Sequence, residues 1–358
     1  MDFGLSEEQE MLQDTVRGFL ENECPPNRLR EIFDRGDGHE PDLWKGLAEM
    51  GLAGLVIEEQ YGGAGLELLD LALAQEVIGE GALPGPFMTH SLAGLAISLC
   101  GSDAQKERWL PGLAEGQVAT VALCEGAEAW SPDDWTLAVD GGRITGTKTY
   151  VPHAAVAERF VVGLAGGALG VVEADAAGVT VTDLAGLDRS RPVARVDFDG
   201  TPVEVLESAG DTVQRALDAG LCLLAADAFG AATKLIDITV AYAQTREQFG
   251  KKISEFQAVK HQLARLGTDI EPTRALHWYA AHAFDHVRDD AARAAALTKS
   301  HITDRAVVAG RMCVELHGGL GFTWECDVQL WLKRALFDRA FLGTPEVLRA
   351  RCADLAGW

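Results

Sequence analysis

The chain is short of what a nucleic-acid binder, a membrane protein or a disulfide-stapled protein needs. Lysine and arginine number 31 against 54 aspartates and glutamates, a net charge of −23 over 358 residues. Such a surface repels phosphate backbones and anionic lipid, so nucleic acid and membrane are not expected among its partners. The deficit is steepest early: residues 1–80 carry 19 acids and 5 basic side chains, a pattern that reads as a solvated acidic helical face. No uninterrupted apolar stretch reaches the roughly 18 residues of a membrane span. The opening Met1-Asp2-Phe3-Gly4-Leu5-Ser6-Glu7-Glu8 lacks the basic-then-apolar order of a signal peptide. Seven cysteines (Cys24, Cys100, Cys124, Cys222, Cys313, Cys326 and Cys352) are scattered with no CxxC pair. That reads as reduced thiols in a cytoplasmic protein and not as a disulfide framework. His282 and His286 stand four apart, but no cysteine or third histidine joins them at ligand spacing. A surface pair is expected there, and no metal. No internal repeat is evident.

What is present is ordinary globular material: 47% apolar and 24% charged residues, in a chain long enough for two or three packed units. The first third reads helical. Ser6 with Gln9 three later is a capping-box signal, and Pro25-Pro26 stops the run that follows. Residues 43–50, 66–80 and 90–100 continue helical, interrupted by a glycine-rich loop over 58–65. Near residue 117 the character changes. Short β-type runs recur at 119–123, 135–139, 143–151, 160–164, 169–173, 179–182, 194–198 and 203–206. Asp140-Gly141-Gly142 is a hairpin turn between two of them. Strands this close, with no helices between, suggest an antiparallel sheet or barrel. From Asp211 the helical period returns. It predicts a long helix over 216–249 ended by Gly250, and a second over 255–286 kinked at Pro272. A third is expected over 290–316, ended by Gly318-Gly319, and a last one capped by Thr344 with Pro345 at its first position. The expected plan is α+β: an N-terminal helical domain (1–116), a middle antiparallel β-domain (117–208) and a C-terminal four-helix bundle (209–358).

Three segments carry chemistry. The first is Thr245-Arg246-Glu247-Gln248-Phe249-Gly250-Lys251-Lys252-Ile253, followed by Phe256-Gln257-Ala258-Val259-Lys260-His261. The second is Leu316-His317-Gly318-Gly319-Leu320-Gly321-Phe322-Thr323, and the third Phe341-Leu342-Gly343-Thr344. An arginine at a helix end can pair a phosphate bidentately. A Gly-Gly step lets backbone N–H groups approach a pyrophosphate. Singly, each has a plainer reading: Arg246 in a surface ion pair, Gly318-Gly319 as a helix stop.

Together, in this order on this plan, the segments resemble the acyl-CoA dehydrogenase family over almost the whole chain. Leu5-Ser6-Glu7-Glu8-Gln9, the loop over 58–65, Gln105-Lys106-Glu107-Arg108-Trp109-Leu110-Pro111 and Gly146-Thr147-Lys148 are similar to it as well. The resemblance implies FAD, and oxidation of an acyl-CoA thioester to its 2,3-enoyl form. It implies that the flavin lies at a subunit interface, its ADP end held by the neighbouring chain. Carried over residue by residue, Arg246, Gln248, Phe249, Gln257, Gly318 and Gly319 would meet the cofactor's phosphates and adenosine, and Thr344 the other end of the pyrophosphate.

The pattern breaks where the reaction needs a base. A carboxylate must remove the proton alpha to the thioester while flavin N5 takes hydride from the beta carbon. The family's usual glutamate is here Leu342, and the alternative position on the long helix falls at Gly220. Asp227, two turns further on, is the nearby acid, and three roles are open to it: the base, a helix–helix hydrogen-bond partner, or part of an FAD-binding shell. The flavin-ring segments also depart: Cys124-Glu125-Gly126-Ala127-Glu128-Ala129-Trp130-Ser131 and Tyr150-Val151-Pro152-His153 replace the family's patterns. Pro152 offers neither hydroxyl nor N–H. Glu315 stands where a glutamine commonly meets the cofactor. The leading expectation is the non-catalytic subunit of a heteromeric enzyme, paired with a paralogous subunit, acting on bulky CoA thioesters such as steroid side chains. Electron-transfer flavoprotein is its expected oxidant. A self-sufficient homomeric dehydrogenase with a displaced carboxylate is the alternative, and a scaffold or CoA-binding protein without redox chemistry is the third reading.

Overall fold

The computed structural model describes residues 4–126 and 128–358; Met1, Asp2 and Phe3 of the opening segment and Ala127 of the altered flavin-ring segment lie outside them. In chain order the helices before the sheets are α1 (Glu7–Glu23), α2 (Pro26–Arg35), α3 (Pro41–Glu49), α4 (Leu68–Glu80), α5 (Phe87–Cys100) and α6 (Asp103–Ala114). The strands are β1 (Ala119–Ala122), β2 (Val139–Asp140), β3 (Arg143–Pro152), β4 (Arg159–Leu164), β5 (Ala168–Glu173), β6 (Val179–Leu184), β7 (Val193–Pro202) and β8 (Glu204–Ala209). Then come α7 (Asp211–Thr245), the short pair β9 (Glu247–Gln248) and β10 (Lys251–Lys252), and α8 (Gln257–Ile270). The chain closes with α9 (Arg274–His286), α10 (Arg288–Leu316), α11 (Val328–Ala340) and α12 (Pro345–Leu355). These elements form two compact units. A helical unit gathers the residues up to Arg30, Ala72–Leu83 and Leu221–Trp358; a mixed unit gathers Glu31–Leu71 and Pro84–Gly220.

In the helical unit, α1 starts as the sequence predicts: the Ser6 hydroxyl accepts from the Gln9 N–H at 3.2 Å, and the Gln9 side chain accepts from the Ser6 N–H at 3.1 Å. α7 is the core helix. By length and mean hydropathy, 1.5 over its most apolar window, it could cross a membrane, but 83% of that window is buried in the protein. Its crossing with α4 depends on two glycines. A Cβ at Gly230 would lie 1.9 Å from the Glu76 carbonyl oxygen, and one at Gly79 would lie 2.2 Å from that of Asp227. The helices therefore touch backbone to backbone. Pro272 breaks the next helical stretch into α8 and α9 through a single 3₁₀ turn. The rings of His282 and His286 stack at 4.5 Å on the exposed face of α9.

Two expectations are corrected in this unit. The long helix ends at Thr245, not at Phe249. Residues 247–252 turn back instead as a two-residue hairpin, Gln248 opposite Lys251, with Phe249 at φ 54° and Gly250 at φ 78°. Positive φ at both central positions is what such a turn requires. α11 was not expected at all. It buries Arg334 and Asp338 together with Leu330 and Trp331, so its charged residues fall among its apolar ones and no amphipathic stripe remains.

The mixed unit holds two four-stranded sheets, in the orders β1-β4-β5-β8 and β2-β3-β7-β6. Asp140-Gly141-Gly142 makes the β2–β3 hairpin, Gly141 at φ 56° and Gly142 at φ 75°. The antiparallel expectation fails at one pair: β1 and β4 run parallel, because β2 and β3 intervene in the chain. The expected strand at 135–139 also fails over most of its length. The Glu125 carboxylate takes the N–H groups of Thr136 and Leu137 at 2.8 and 3.1 Å, so they have no ladder to join. Trp135 lies flat against β4, where a Cβ at Gly163 would meet its ring at 2.6 Å. α6, also unannounced, carries a second capping box between Ser102 and Gln105.

His90 locks the top of this unit. Buried on α5, it accepts from the Ala119 N–H at Nδ1 (3.3 Å), and its Nε2 lies 3.1 Å from the Ala53 carbonyl oxygen. Burial holds its pKa down to about 4, and that of buried His153 down to about 3. The unfolded chain takes up protons at both below about pH 6.5, so stability falls as pH falls from there toward 4. Replacing His90 with glutamine is expected to flatten that slope by up to about 1.4 kcal/mol per pH unit, read from urea midpoints. An unchanged slope would contradict the assignment. For the helical unit, Gly230→Ala is expected to lower unfolding stability by about 3 kcal/mol. Gly267→Ala, where a Cβ meets nothing within 4 Å, should instead gain about 0.5–1 kcal/mol. Equal effects at the two glycines would rule out the close crossing.

Candidate functional site

The first and second chemical segments come together in the helical unit. Tyr242, one turn before the end of α7, stacks its ring on His317 at 4.3 Å, and its hydroxyl lies 3.4 Å from the His317 carbonyl oxygen. This sets the Arg246 hairpin beside the turn that begins at Gly318. The hairpin is closed by the Ile253 N–H donating to the Arg246 carbonyl at 2.9 Å. Lys251 sits over the Phe256 ring at 4.3 Å, and Phe249 meets the same ring edge-on. Arg246, Gln248, Gln257, Gly318 and Gly319 are all exposed, and Phe249 is 93% exposed.

These residues fit the ADP end of a dinucleotide on chemical grounds. Among the described residues no carboxylate pairs with the Arg246 guanidinium, which is left to meet a phosphate. Lys251 and Lys252 add charge of the same sign within a strongly acidic chain. Gly318 needs its positive φ of 61°, but Gly319 has no such need, and a Cβ there would meet nothing within 4 Å. Among the described residues nothing asks for glycine at 319, and bare backbone there leaves room for the close approach of a ligand or neighbour.

The third segment lies elsewhere. Thr344 stands at the N-cap position of α12 without a side-chain cap bond, and the turn before it is tied to α10 at Lys299, whose Nζ donates to the Arg339 carbonyl at 2.9 Å and to the Gly343 carbonyl. The Gly318 turn follows the other end of α10, at Leu316. Seventeen residues of continuous helix separate the two points, roughly 25 Å. Leu342, at the position of the usual base, is 6% exposed and sits at φ 57°.

The surroundings of Asp227 are those of a helix–helix hydrogen-bond partner. It is fully buried, and Arg334 grips it bidentately, Nε to Oδ2 at 2.8 Å and Nη2 to Oδ1 at 2.7 Å. The Gln75 amide adds a third bond at 2.6 Å, and Arg334 Nη1 donates to the Leu83 carbonyl at 3.0 Å. A carboxylate so engaged holds α4, α7 and α11 together and has no lone pair directed at a substrate. Beside it, Glu76 is buried among Arg274 at 2.6 Å, the Trp278 indole at 3.2 Å and His277 at 3.1 Å. Burial works to raise its pKa, but these donors prevail and hold it below the usual carboxylate value.

In the mixed unit the altered flavin-ring segments are well anchored but chemically bare. Lys148, wholly buried, donates to Glu125 at 2.6 Å and to the Leu123 carbonyl at 3.1 Å, fixing the loop after β1. Burial raises the pKa of the Cys124 thiol, which keeps it protonated. Tyr150 and His153 bracket Val151-Pro152 at φ 53° and 52°, and Pro152 gives its carbonyl to the Thr120 hydroxyl at 2.7 Å. Pro152 presents no donor, so this segment does not fit a flavin ring as the ADP-end residues fit a pyrophosphate.

Residues 6–117 match the family "Acyl-CoA dehydrogenase, N-terminal domain", and residues 210–356 match "Acyl-CoA dehydrogenase, C-terminal domain". The chain is 31% identical to the acyl-CoA dehydrogenase IpdE2 of Mycolicibacterium smegmatis, over 98% of this chain and 100% of that one. A variant of the Tcur3481-Tcur3483 steroid ACAD superposes with a TM-score of 0.90 at 30% identity, covering 98% of each chain. The ChsE4-ChsE5 complex from Mycobacterium tuberculosis superposes with a TM-score of 0.88 at 25% identity, covering 100% of this chain and 99% of that one.

Replacing Asp227 with asparagine leaves the Arg334 charge buried without its counter-ion. It is expected to cost about 3–5 kcal/mol in unfolding stability. The double change Asp227→Leu with Arg334→Met should recover most of that loss. Full stability in Asp227→Asn would overturn the structural role.

Proposed function

The chain belongs to the acyl-CoA dehydrogenase family, and we propose that within it the chain is the non-catalytic subunit of a heteromeric enzyme, completing its partner's cofactor site. The observation that carries this reading is the state of the three positions where a base could stand. Leu342 cannot accept a proton, Gly220 has no side chain, and Asp227 is held by Arg334 and Gln75. Proton removal alpha to a thioester needs a free carboxylate in a dry pocket. That carboxylate comes from the paralogous subunit.

FAD is the family's cofactor, and when bound it accepts the hydride from the beta carbon. The part of this chain is to hold it. Arg246, Gln248 and Gln257 bind the phosphates and adenosine of an FAD whose ring lies in the partner, and Gly318 and Gly319 admit the pyrophosphate to the backbone. The separation of Thr344 from this end, roughly 25 Å along α10, favours a cofactor shared between chains over one enclosed by a single chain. The exposed apolar side chains around the ADP-end residues, Phe249 at 93%, Phe322 at 81% and Leu320 at 42%, are the kind a partner subunit covers.

The substrate is a bulky CoA thioester, with a steroid side chain as the leading class. Support comes from the likeness to the Tcur3481-Tcur3483 steroid ACAD and to a chain of the ChsE4-ChsE5 complex. Electron-transfer flavoprotein reoxidises the flavin. The reaction runs in the cytoplasm, in keeping with cysteines that form no disulfide among the described residues. Expressed alone, the chain is expected to be flavin-poor and inactive. Coexpressed with its paralogue it should give a yellow complex with one FAD per pair of unlike subunits, read from visible absorbance and native mass. A yellow homo-oligomer with one FAD per chain and turnover would establish the self-sufficient enzyme. Acyl-CoA bound without flavin in any assembly would establish the scaffold.

A further inference from the structure

Lys299 is wholly buried on α10, and its ammonium meets backbone where most buried lysines meet a carboxylate. Its two hydrogen bonds go to the carbonyls of Arg339 and Gly343. The first is one of the end carbonyls of α11, which have no partner inside the helix. The second stands one residue before the cap of α12. Lys299 thus staples the exit of one helix to the entrance of the next, across the four-residue link over 341–344.

That link is held in a form it would not choose. Leu342 sits at φ 57° and Gly343 at φ 102°, and a leucine in the left-handed region is strained. Outside the staple, ion pairs knit the same helices: Arg339 bonds Asp304 of α10 at 2.8 Å and Glu346 of α12 at 2.7 Å, and Arg349 also bonds Asp304. The charged groups facing Lys299 are Asp338 and Arg339 from α11, Glu346 from α12 and Asp304 from its own helix. On α9, Arg274 and His277 turn to Glu76, and on α8, Arg265 pairs with Asp269.

We propose that Lys299 is the positioning residue of the turn over 341–344: its two bonds hold the turn closed, and opening the turn returns Lys299 to water with uptake of a proton. The direction follows from the burial. In the closed turn burial brings the Lys299 pKa down to about 7, despite the attraction of Asp338. In water a lysine holds its proton to about 10.4. Between these values opening binds a proton, so opening becomes rarer as pH rises above 7 and is independent of pH below it. The turn is thus an acid-released catch on the segment that carries Thr344. Its effect on cofactor retention, faster flavin loss on the acid side, rests on the functional reading above. The catch itself does not.

Hydrogen exchange of the amides over 341–348 in the full-length chain tests it, corrected for the intrinsic pH dependence of exchange, from about pH 6 to about pH 9. In the wild type the opening constant should be flat to about pH 7 and then fall by up to about tenfold per pH unit. Lys299→Met leaves two buried carbonyls without a donor, and should raise the opening constant at least about tenfold at neutral pH and abolish its pH dependence. Leu342→Gly, which removes the left-handed strain, should restore protection in the Lys299→Met background while leaving it pH-flat. A merely structural lysine would not produce that pattern. A wild-type opening constant independent of pH, or unaltered exchange in Lys299→Met, overturns the proposal. Should Lys299→Met loosen every helix, the wild-type pH profile alone decides.

Discussion

A carboxylate and a guanidinium taken out of water together, Asp227 and Arg334, tie three helices at their crossing. Neither charge could be buried there alone. Each lone pair and each donor therefore has to find its place, and the surroundings are arranged to supply them: Gln75 from α4 for the carboxylate, the Leu83 carbonyl for the guanidinium. The same crossing has its two backbones in contact, which is why Gly79 and Gly230 are glycines. Once α11 is fixed by Arg334, its end, the turn over 341–344 and the start of α12 are placed in turn, and Lys299 closes them. The interaction that organises the helical unit is thus also the one that removes its most plausible base from chemistry.

The strained backbone tells a related story. Among the described residues, five other than glycine have positive φ: Ala82, Tyr150, His153, Phe249 and Leu342. Four of them fall in the segments that resemble the family's cofactor and base positions. Several side chains in those segments, a proline and a leucine among them, offer neither a donor nor a proton acceptor. At the proposed ADP end, Arg246 and the bare backbone of Gly319 are exposed.

Local signals were legible where a few neighbouring residues decide the outcome. The Ser6–Gln9 capping box, the Asp140-Gly141-Gly142 hairpin, the break at Pro272 and the Thr344-Pro345 helix start all depend on chemistry within a turn or two. The order helices, sheets, helices was legible for the same reason. What escaped depends on distant partners. α11 was hidden because Arg334 and Asp338 are buried beside its apolar residues, and only their tertiary surroundings explain that. The strand expected over 135–139 was lost to Glu125, whose carboxylate takes two of its amides from across the loop. The end of α7 moved from Phe249 to Thr245 because Phe249 adopts a conformation that glycine usually takes. At the site, the grouping of Arg246 with Gly318 and Gly319 was legible through the resemblance. The fate of Asp227 was not, since nothing near it in sequence names Arg334.

The central claim is that this chain holds the cofactor and does not perform the chemistry. Arg246→Ala in this chain, assembled with its paralogue, tests it most directly, with flavin content and turnover per bound flavin measured on the same preparation. The expected result is a complex that loses most of its FAD while each remaining flavin turns over at the wild-type rate. A complex that keeps its FAD but loses turnover would contradict the claim and place Arg246 in the reaction itself.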